Sequence, residues 1–259
     1  MITSSTNAKI KNIVHLNTSS KARREQGVFV AEGTKMFLEA PDDGIRQVFV
    51  SESYYHQCEH RARIETYPYE IVEDDVFRKA SDTMAPQGVL CIVEQKQYAP
   101  EEIMAADEPL FMILEGLQDP GNLGTIIRTG EGAGVSGVIM DRNTADIYNP
   151  KVIRATMGAI YRVPFLYVDN LVDAVRKMKD RQIKLYAAHL QGKNCYYEED
   201  YRDGSAFMIG NEGNGLSNAL TDMADIRIRI PMCGQVESLN AAVSAGILMY
   251  EAMRQRNLS

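Results

Sequence analysis

Two strand-length runs in the last quarter of the chain each end in a polar loop, and this stretch constrains the fold most. Residues 206–209 are apolar and are followed at once by the loop 210–215, which is rich in glycine and asparagine. Residues 226–230 alternate between isoleucine and arginine, the period of a strand with unlike faces. Polar residues at the ends of strands are where open α/β sheets place their ligands. The stretch therefore predicts two strands of an α/β sheet with a candidate site at their ends.

A helix is predicted to follow these strands. Pro231 ends the second strand because proline has no N–H to donate to a ladder, and the helix is predicted to begin at Ser238. Its apolar residues recur every three or four positions, as on one face of a helix: Leu239, Val243, Gly246, Ile247, Tyr250 and Met253. The helix also carries the small residues Ala242, Ala245 and Gly246 beside Ile247 and Tyr250, and it is interpreted either as part of a packed core or as a subunit interface.

Upstream, short apolar runs alternate with helical segments, which predicts a layered α/β structure in two parts. A polar segment containing Pro100 separates them, so we expect a domain of residues 1–98, a linker of residues 99–108 and a second domain of residues 109–259. The second domain opens with a continuous apolar strand at 110–114, as expected of a strand covered on both faces. Asn122 is predicted to be the N-cap of the helix after that strand.

Composition limits the classes of protein that need be considered. The hydrophobic share of 45% and the charged share of 24% are those of a globular protein. No apolar run approaches the length of a membrane span, and the N-terminus lacks the apolar region of a signal peptide. The four cysteines are scattered without a CxxC pair, which favours reduced thiols over a disulfide framework or a zinc site. We therefore expect a cytoplasmic protein without a bound metal.

Positive charge is concentrated at the N-terminus. The chain has a formal net charge of −7, yet residues 1–24 carry five lysines and arginines and no acid. The net charge argues against a nucleic-acid partner, but a local basic face can still bind phosphates. Residues 19–24 are predicted to form a polar loop, and Lys21, Arg23 and Arg24 are candidate phosphate contacts. An ordinary solvated surface is the alternative.

Three motifs in order carry a resemblance to a known family. Asn122 and Arg128 bound an Asn-x-Gly-x-x-x-Arg motif, residues 210–215 read GNEGNG, and residues 230–240 read IPMCGQVESLN. Together they resemble the motifs of the SpoU (TrmH-type) RNA 2′-O-methyltransferases of the SPOUT superfamily. The N-terminal part, through KARREQGVFVAEG and SDTMAPQGVLCIV, resembles the L30e-like substrate-binding domain of many of these enzymes.

The resemblance implies both a fold and a function. The fold would be a small L30e-like α/β domain followed by a SPOUT α/β methyltransferase domain with a C-terminal trefoil knot, assembled as a homodimer. The function would be transfer of a methyl group from S-adenosylmethionine to a ribose 2′-hydroxyl of RNA. Large-subunit (23S) rRNA is favoured because the L30e-like domain is commoner in enzymes that act on rRNA. The alternatives are a tRNA 2′-O-methyltransferase, an enzyme acting on a base, and a non-catalytic RNA-binding member.

The resemblance also implies site residues. The cofactor-binding positions would be Gly210, Ile230, Leu239, His189 and Leu190. The catalytic positions would be Asn122, Arg128, Glu212, Ser238 and Asn240. Glu212 is expected to orient Arg128 or Asn122 through a charge-assisted hydrogen bond. Because arginine stays protonated in proteins, Arg128 is expected to hold a phosphate and stabilise the forming alkoxide rather than act as a base. Lys21, Arg23 and Arg24 would contact the RNA.

Overall fold

The computed structural model describes residues 1–257, which pack as two compact units. The first unit holds Met1–Gln97 and Asp146–Tyr161, and the second holds Tyr98–Ala145 and the residues from Arg162 onward. The chain therefore passes between the units three times. Within the described residues, no helix combines the length and the apolar character needed to cross a bilayer.

The first unit is built on a four-stranded sheet. Its strands are β1 (Val28–Glu32), β2 (Ile45–Ser51), β3 (Tyr69–Val72) and β4 (Val89–Glu94). Their order is β1-β4-β2-β3, with β4 antiparallel to both neighbours and β3 parallel to β2, so the sheet is mixed. Its first six helices are α1 (Ala8–Thr18), α2 (Ser20–Gln26), α3 (Thr34–Glu39), α4 (Glu52–Gln57), α5 (Arg61–Glu65) and α6 (Asp74–Ala80).

Helix α2 occupies a stretch that the sequence predicted as a loop, and this prediction is wrong. The hydroxyl of Ser19 accepts a hydrogen bond from the N–H of Ala22 at 3.2 Å, which satisfies one of the free donors at the helix start. Gly27 ends the helix in the left-handed conformation, at φ 63°. Residues 19–24 look like a loop because a short helix with a polar face has the same composition as a loop.

A later segment of the chain packs with the first unit. Residues 146–161 contain helix α9 (Pro150–Thr156), which contacts β1. The rings of Phe29 and Tyr148 lie 4.8 Å apart, and the Tyr161 hydroxyl donates to the carbonyl of Met36 at 3.0 Å. These contacts bury apolar surface of β1 under a segment that is remote in sequence.

The second unit is built on a seven-stranded parallel sheet. Its strands are β5 (Leu110–Leu114), β6 (Gly137–Asp141), β7 (Phe165–Val168), β8 (Lys184–Ala188), β9 (Asn194–Cys195), β10 (Ser205–Ile209) and β11 (Ile226–Arg229). Their order is β7-β6-β5-β10-β8-β11-β9. Every residue of the central strands β5 and β10 is buried, as their apolar runs predict. The expected combination of a small α/β domain and a second α/β domain is confirmed, and the sheet of the first is mixed while that of the second is parallel.

Helices cover this sheet, and two of them begin away from their predicted positions. They are α7 (Pro100–Ile103), α8 (Pro120–Ala133), α10 (Leu171–Asp180), α11 (Asn218–Thr221) and α12 (Ala241–Asn257). Asp119, not Asn122, is the N-cap of α8, because its carboxylate accepts from the N–H of Asn122 at 2.8 Å and Pro120 fits the first helical turn. Helix α12 begins at Ala241 rather than at Ser238.

The buried face of α12 includes Ala242 and Ala245, two of the small residues named above, but differs in part from the predicted apolar face. It consists of Ala242, Ala245, Leu248, Met249 and Ala252. Val243 and Tyr250, which were predicted to lie on the apolar face, are 51% and 46% exposed. Small alanines can bury a face as effectively as large residues where helices pack closely, and α12 packs against α8. Val243 and Tyr250 form a second, more exposed stripe, and the Tyr250 hydroxyl still lies close to Gly132 of α8.

Candidate cofactor and catalytic site

Three loops follow β5, β10 and β11, and the first two are braced against each other. All strands of this sheet are parallel, so their carboxyl ends lie at one edge. The side-chain amide of Asn211 donates to the carbonyl of Gly116 at 2.8 Å, and the N–H of Ser217 donates to the Glu115 carboxylate at 2.7 Å. These bonds fix the loop after β10 on the loop after β5.

The loop at residues 210–215 is a closed turn that requires glycine at its first position. Asn211 and Gly215 exchange backbone hydrogen bonds of 3.1 and 2.9 Å, and the Asn211 side chain also accepts from the N–H of Gly213 at 2.9 Å. A Cβ placed on Gly210 would lie 2.0 Å from the carbonyl carbon of Gly215. Because that neighbour is backbone, it cannot rotate away. Only glycine allows this approach.

Glu212 ties this turn to the start of α8. Its carboxylate accepts hydrogen bonds from the backbone N–H groups of Gln118 at 3.2 Å and Asp119 at 3.1 Å, and from the side-chain amide of Asn122 at 3.0 Å. Partial burial acts to raise the pKa of Glu212, but these hydrogen bonds outweigh it, and the net pKa lies below the ordinary value. Glu212 is therefore a carboxylate at neutral pH, held by three donors.

Asn122 links Glu212 to the third loop. Its side chain is nearly buried, at 9% exposure. A carboxylate can only accept, so the amide nitrogen of Asn122 must face Glu212 and its oxygen must face away. That oxygen accepts from the amide of Asn240 at 2.8 Å. The Asn240 oxygen in turn accepts from the N–H groups of Ala242 and Val243 at the start of α12, at 2.9 and 3.3 Å. The Glu212–Asn122–Asn240 connection thus joins all three loops.

Arg128 and Ser238 are not part of this connection. Arg128 lies on the exposed side of α8, and within residues 1–257 its guanidinium makes no hydrogen bond or ion pair. Of the two side chains expected to donate to Glu212, only Asn122 does so. Ser238 is exposed in the third loop, and its hydroxyl makes no hydrogen bond to a described residue. Both groups are available to a ligand.

The third loop offers backbone groups and apolar side chains to a cofactor. Among the described residues, no hydrogen bond is made by the N–H or C=O groups of residues 230–239, while Ile230 and Leu239 are half-buried. Free amide donors and acceptors beside apolar side chains suit the edges and faces of an adenine ring. The residues present therefore fit S-adenosylmethionine. No group of three or more His, Cys, Asp or Glu within residues 1–257 is placed to hold a metal ion.

His189 and Leu190 follow β8 at the same edge. The N–H of His189 donates to the carbonyl of Ile228 at 2.9 Å, which attaches this turn to β11. The Nδ1 atom of His189 accepts from the N–H of Gln191 at 3.1 Å, which helps to hold the turn, and the predicted cofactor contact of His189 stays a prediction. Leu190 is 67% exposed and presents an apolar side chain to solvent at this edge.

The predicted RNA contacts in the first unit divide into two kinds. Lys21 and Arg24 are exposed on α2. Arg23 is only 3% exposed, and its guanidinium bonds to the Asp146 carboxylate at 2.6 Å and to the carbonyl of Leu16 at 2.6 Å. Its charge is paired with Asp146 inside the first unit and is not available to a phosphate, so Arg23 is not a candidate RNA contact.

Sequence reasoning missed the residues that hold these loops in place. Asn211 lies between Gly210 and Glu212 in a glycine-rich loop. Asparagine is common in turns because its side chain can accept from a backbone N–H two residues on, and here it accepts from Gly213 and closes the turn. Asp119 precedes Pro120, the usual order of an N-cap and a first helical residue. Glu115 carries no comparable local signal, because its partner Ser217 lies far along the chain.

Comparison with known proteins decides the family. Residues 109–250 match the family model described as "SpoU rRNA Methylase family". The chain belongs to the SpoU rRNA methylase family. Residues 7–91 match a second model, described as "MRM3-like substrate binding domain". The family match covers the three loops described above, so the Glu212–Asn122–Asn240 connection lies within the SpoU region.

Relatives and solved structures extend this similarity to nearly the whole chain. The chain is 33% identical to the 23S rRNA (guanosine(2553)-2′-O)-methyltransferase RlmP of Bacillus subtilis, over 96% of this chain and 97% of that protein. It is also similar to the AdoMet-bound rRNA methyltransferase of Sinorhizobium meliloti, with a TM-score of 0.87, 33% identity and coverage of 98% and 97%. The SpoU methyltransferase AviRb of Streptomyces viridochromogenes, in complex with AdoMet, gives a TM-score of 0.88, 27% identity and coverage of 97% and 98%.

Proposed function

We propose that this SpoU family member is an S-adenosylmethionine-dependent methyltransferase that modifies a ribose 2′-hydroxyl of 23S rRNA. The single observation that carries the proposal is the Glu212–Asn122–Asn240 connection, which fixes three loops at one sheet edge. Similarity to an enzyme named for 2′-O-methylation of a 23S rRNA guanosine, and to two structures with AdoMet, supports the substrate and the cofactor. A tRNA 2′-O-methyltransferase is the alternative.

The cofactor, when bound, supplies an electrophilic methyl group, and the chain supplies its position. The free backbone groups of residues 230–239 and the side chains of Ile230 and Leu239 would hold the adenine. The absence of a side chain at Gly210 lets the backbone of Gly215 approach it closely, which keeps the turn closed. Glu212 acts as a positioning residue, because it accepts hydrogen bonds from the backbone at Gln118 and Asp119 and from the side chain of Asn122.

Arg128 and Ser238 are the proposed groups that meet the RNA. The Arg128 guanidinium is exposed and unpaired among the described residues, so it can bind a phosphate and stabilise the negative charge that develops on the ribose oxygen. It does not take the proton, since an arginine stays charged near neutral pH. Water or a substrate phosphate accepts the proton. Ser238 offers a free hydroxyl in the same loop as Leu239.

The finer features of fold and assembly are also proposals. Family membership supports a trefoil knot in the C-terminal part and a homodimer. The exposed apolar stripe of α12, which includes Val243 and Tyr250, supports α12 as part of the subunit interface. We keep the functional division into an RNA-binding domain of residues 1–98, a linker of residues 99–108 and a catalytic domain of residues 109–259. Within the first of these, Lys21 and Arg24 are the proposed phosphate contacts.

Nucleoside mass spectrometry tests the proposed function. The purified chain is incubated with S-adenosylmethionine and either unmodified 23S rRNA transcript or unmodified total tRNA transcripts. We expect a 2′-O-methylnucleoside from the 23S transcript and none from tRNA. Methylation of tRNA alone would replace the proposal with its alternative, and a methyl group on a base would exclude ribose as the acceptor. A variant with Glu212→Gln is expected to retain the fold while losing most of the product.

A further inference from the structure

Met84 has the most exposed large apolar side chain among the described residues, at 106% of its reference area. The loop that carries it is nevertheless held at both ends. The Glu32 carboxylate accepts from the N–H of Asp82 at 3.1 Å and from the Thr83 hydroxyl at 2.7 Å. At the other end, the side-chain oxygen of Gln87 accepts from the N–H of Thr34 at 2.8 Å. A fully exposed methionine is therefore presented at a fixed place in the first unit.

Exposed positive charge is found on two segments that adjoin this loop, namely α6, which precedes it, and the start of α2. The side-chain amide of Asn17 donates to the carbonyl of Ala80 at 3.2 Å, which joins the turn between α1 and α2 to the end of α6. Lys79, in the last turn of α6, is exposed and makes no ion pair with a described residue. Lys21, in the first turn of α2, has Glu25 at 3.7 Å with both side chains largely exposed, a pairing that contributes little.

The one acid of the loop does not cancel this charge. The carboxylate of Asp82 is paired with the Arg154 guanidinium at 2.6 Å. Glu32 is engaged by the loop itself. We call the group formed by Asn17, Lys21, Lys79 and Met84 the Met84 surface. It combines one apolar group with two cations, and its chemistry is complementary to a base flanked by phosphates.

We propose that the Met84 surface binds an unpaired nucleotide of the RNA substrate, with Met84 packed on the base and the two lysines on flanking phosphates. Single-stranded RNA exposes the faces of its bases, which proteins recognise by stacking and apolar contact. A methionine side chain is flexible and polarisable, and its sulfur makes favourable contacts with aromatic rings. The inference rests on the proposed function only in taking RNA as the substrate.

The test measures RNA affinity of the full-length chain as a function of salt. The probe is unmodified 23S rRNA transcript, and the variants are Met84→Ala, Met84→Leu and Lys79→Ala. Met84→Ala is expected to raise the Kd about 3- to 10-fold without changing the slope of log K against log salt, because the variant keeps every charge. Met84→Leu should stay within about 2-fold of the wild type, since an apolar group is kept. Lys79→Ala should reduce the magnitude of the slope by about 0.7, the value for one phosphate of a single strand.

Controls separate a local contact from a general effect. Leu38→Ala removes another exposed apolar side chain of the first unit, and Lys177→Ala removes an exposed cation of α10. Neither should change the Kd by more than about 2-fold. Since Met84 touches solvent over its whole surface, its replacement leaves the folded state intact. An unchanged RNA affinity for Met84→Ala would overturn the inference and point to a protein partner for this surface.

Cofactor affinity and methylation of the same transcript by the wild-type chain are measured in parallel. A wild-type chain that binds RNA through Met84 but yields no methylated ribose would remove the proposed function and leave the Met84 surface standing. A wild-type chain that methylates the transcript, with RNA affinity insensitive to Met84→Ala, would remove only the Met84 surface.

Discussion

The side-chain amide of Asn122 has one orientation that satisfies both of its neighbours. Its nitrogen faces the Glu212 carboxylate and its oxygen faces the Asn240 amide. The motifs in the sequence identified all three residues, but their pairing could not be read from them. Glu212 was expected to reach Arg128 or Asn122, and the geometry selects Asn122. Side chains six residues apart on a helix point in different directions, which separates Arg128 from Asn122.

Arg128→Ala is predicted to lower the single-turnover rate of methylation about 10²- to 10³-fold, the typical effect of removing one stabilising donor from a developing oxyanion. Arg128→Lys should not restore the rate, because a point charge cannot reproduce a planar, two-pronged contact. Saturating cofactor and RNA isolate the chemical step. Lys177→Ala is the matched loss of one exposed cation and should react at the wild-type rate. Since Arg128 is exposed, thermal unfolding and cofactor affinity of both arginine variants should be unchanged; a near wild-type rate for Arg128→Ala would remove it from the mechanism.

The lowered pKa of Glu212 predicts a pH dependence of stability. A carboxyl group whose pKa is lower in the folded state contributes stability above its unfolded pKa, about 4.3, and loses that contribution as the pH falls through the folded pKa. The difference in melting temperature between the wild type and Glu212→Gln should therefore be constant from about pH 6 to 8 and shrink below about pH 4.5. Calorimetric scans across this range measure it. A difference that grows on acidification would contradict the lowered pKa.

Among the loops, the turn at residues 210–215 is the most sensitive to added volume. Gly210→Ala is predicted to abolish detectable cofactor binding, because the new Cβ would meet backbone at 2.0 Å and force the turn open. Titration calorimetry with S-adenosylmethionine measures the effect. Gly246→Ala is the matched control, since its Cβ would meet only Thr129 at 3.6 Å, an ordinary contact. Wild-type cofactor affinity for Gly210→Ala would show that this turn is not needed.

In α12, the hydrophobic periodicity of the sequence predicts the helix but not which of its faces is buried. The spacing of its large apolar residues correctly predicted a helix, but the buried face is the alanine-rich one. Hydrophobic periodicity weights large side chains, whereas close packing of α12 on α8 selects small ones. Sequence alone cannot rank two apolar stripes on one helix. The stripe that includes Val243 and Tyr250 therefore needs another explanation, and the proposed subunit interface supplies it.

Val243→Glu is predicted to dissociate the proposed homodimer, because a buried carboxylate without a partner is strongly unfavourable in an apolar interface. Val243 is 51% exposed in the single chain, so the monomer should keep its fold. Sedimentation velocity gives the mass of the species in solution. Leu38→Glu, at an exposed position of α3, should leave the mass at that of the wild type. A wild-type chain that sediments as a monomer would end the proposal directly.

For the whole molecule, a net charge of −7 must coexist with an RNA substrate. Binding then depends on where the cations lie rather than on their sum. The double replacement of Lys21 and Arg24 by alanine is predicted to reduce the magnitude of the salt slope for 23S rRNA transcript by about 1.4, or about 0.7 for each phosphate of a single strand that is no longer neutralised. Cofactor affinity should not change. An unchanged slope would show that α2 does not contact the RNA and is an ordinary solvated helix.

The two-part α/β architecture was predictable because each part has its own alternation of strands and helices. The membership of residues 146–161 in the first unit was not. No local pattern marks a segment that leaves one unit and returns, since its apolar residues would be equally satisfied by either core. Only the pairing of particular partners, such as Phe29 with Tyr148, decides the matter.

The packing of residues 146–161 with the first unit restricts how the two parts of the chain can be exchanged by recombination. Arg23 is buried against Asp146, so a gene fragment ending at Gln97 would encode a guanidinium deprived of its carboxylate. Separating such a buried pair typically costs about 3–5 kcal/mol, a large share of the stability of a small domain. Recombination at that single junction would thus give a fusion protein whose N-terminal part is less stable. Successful exchange requires residues 146–161 to move as well, and we expect the two halves of this chain to share one line of descent.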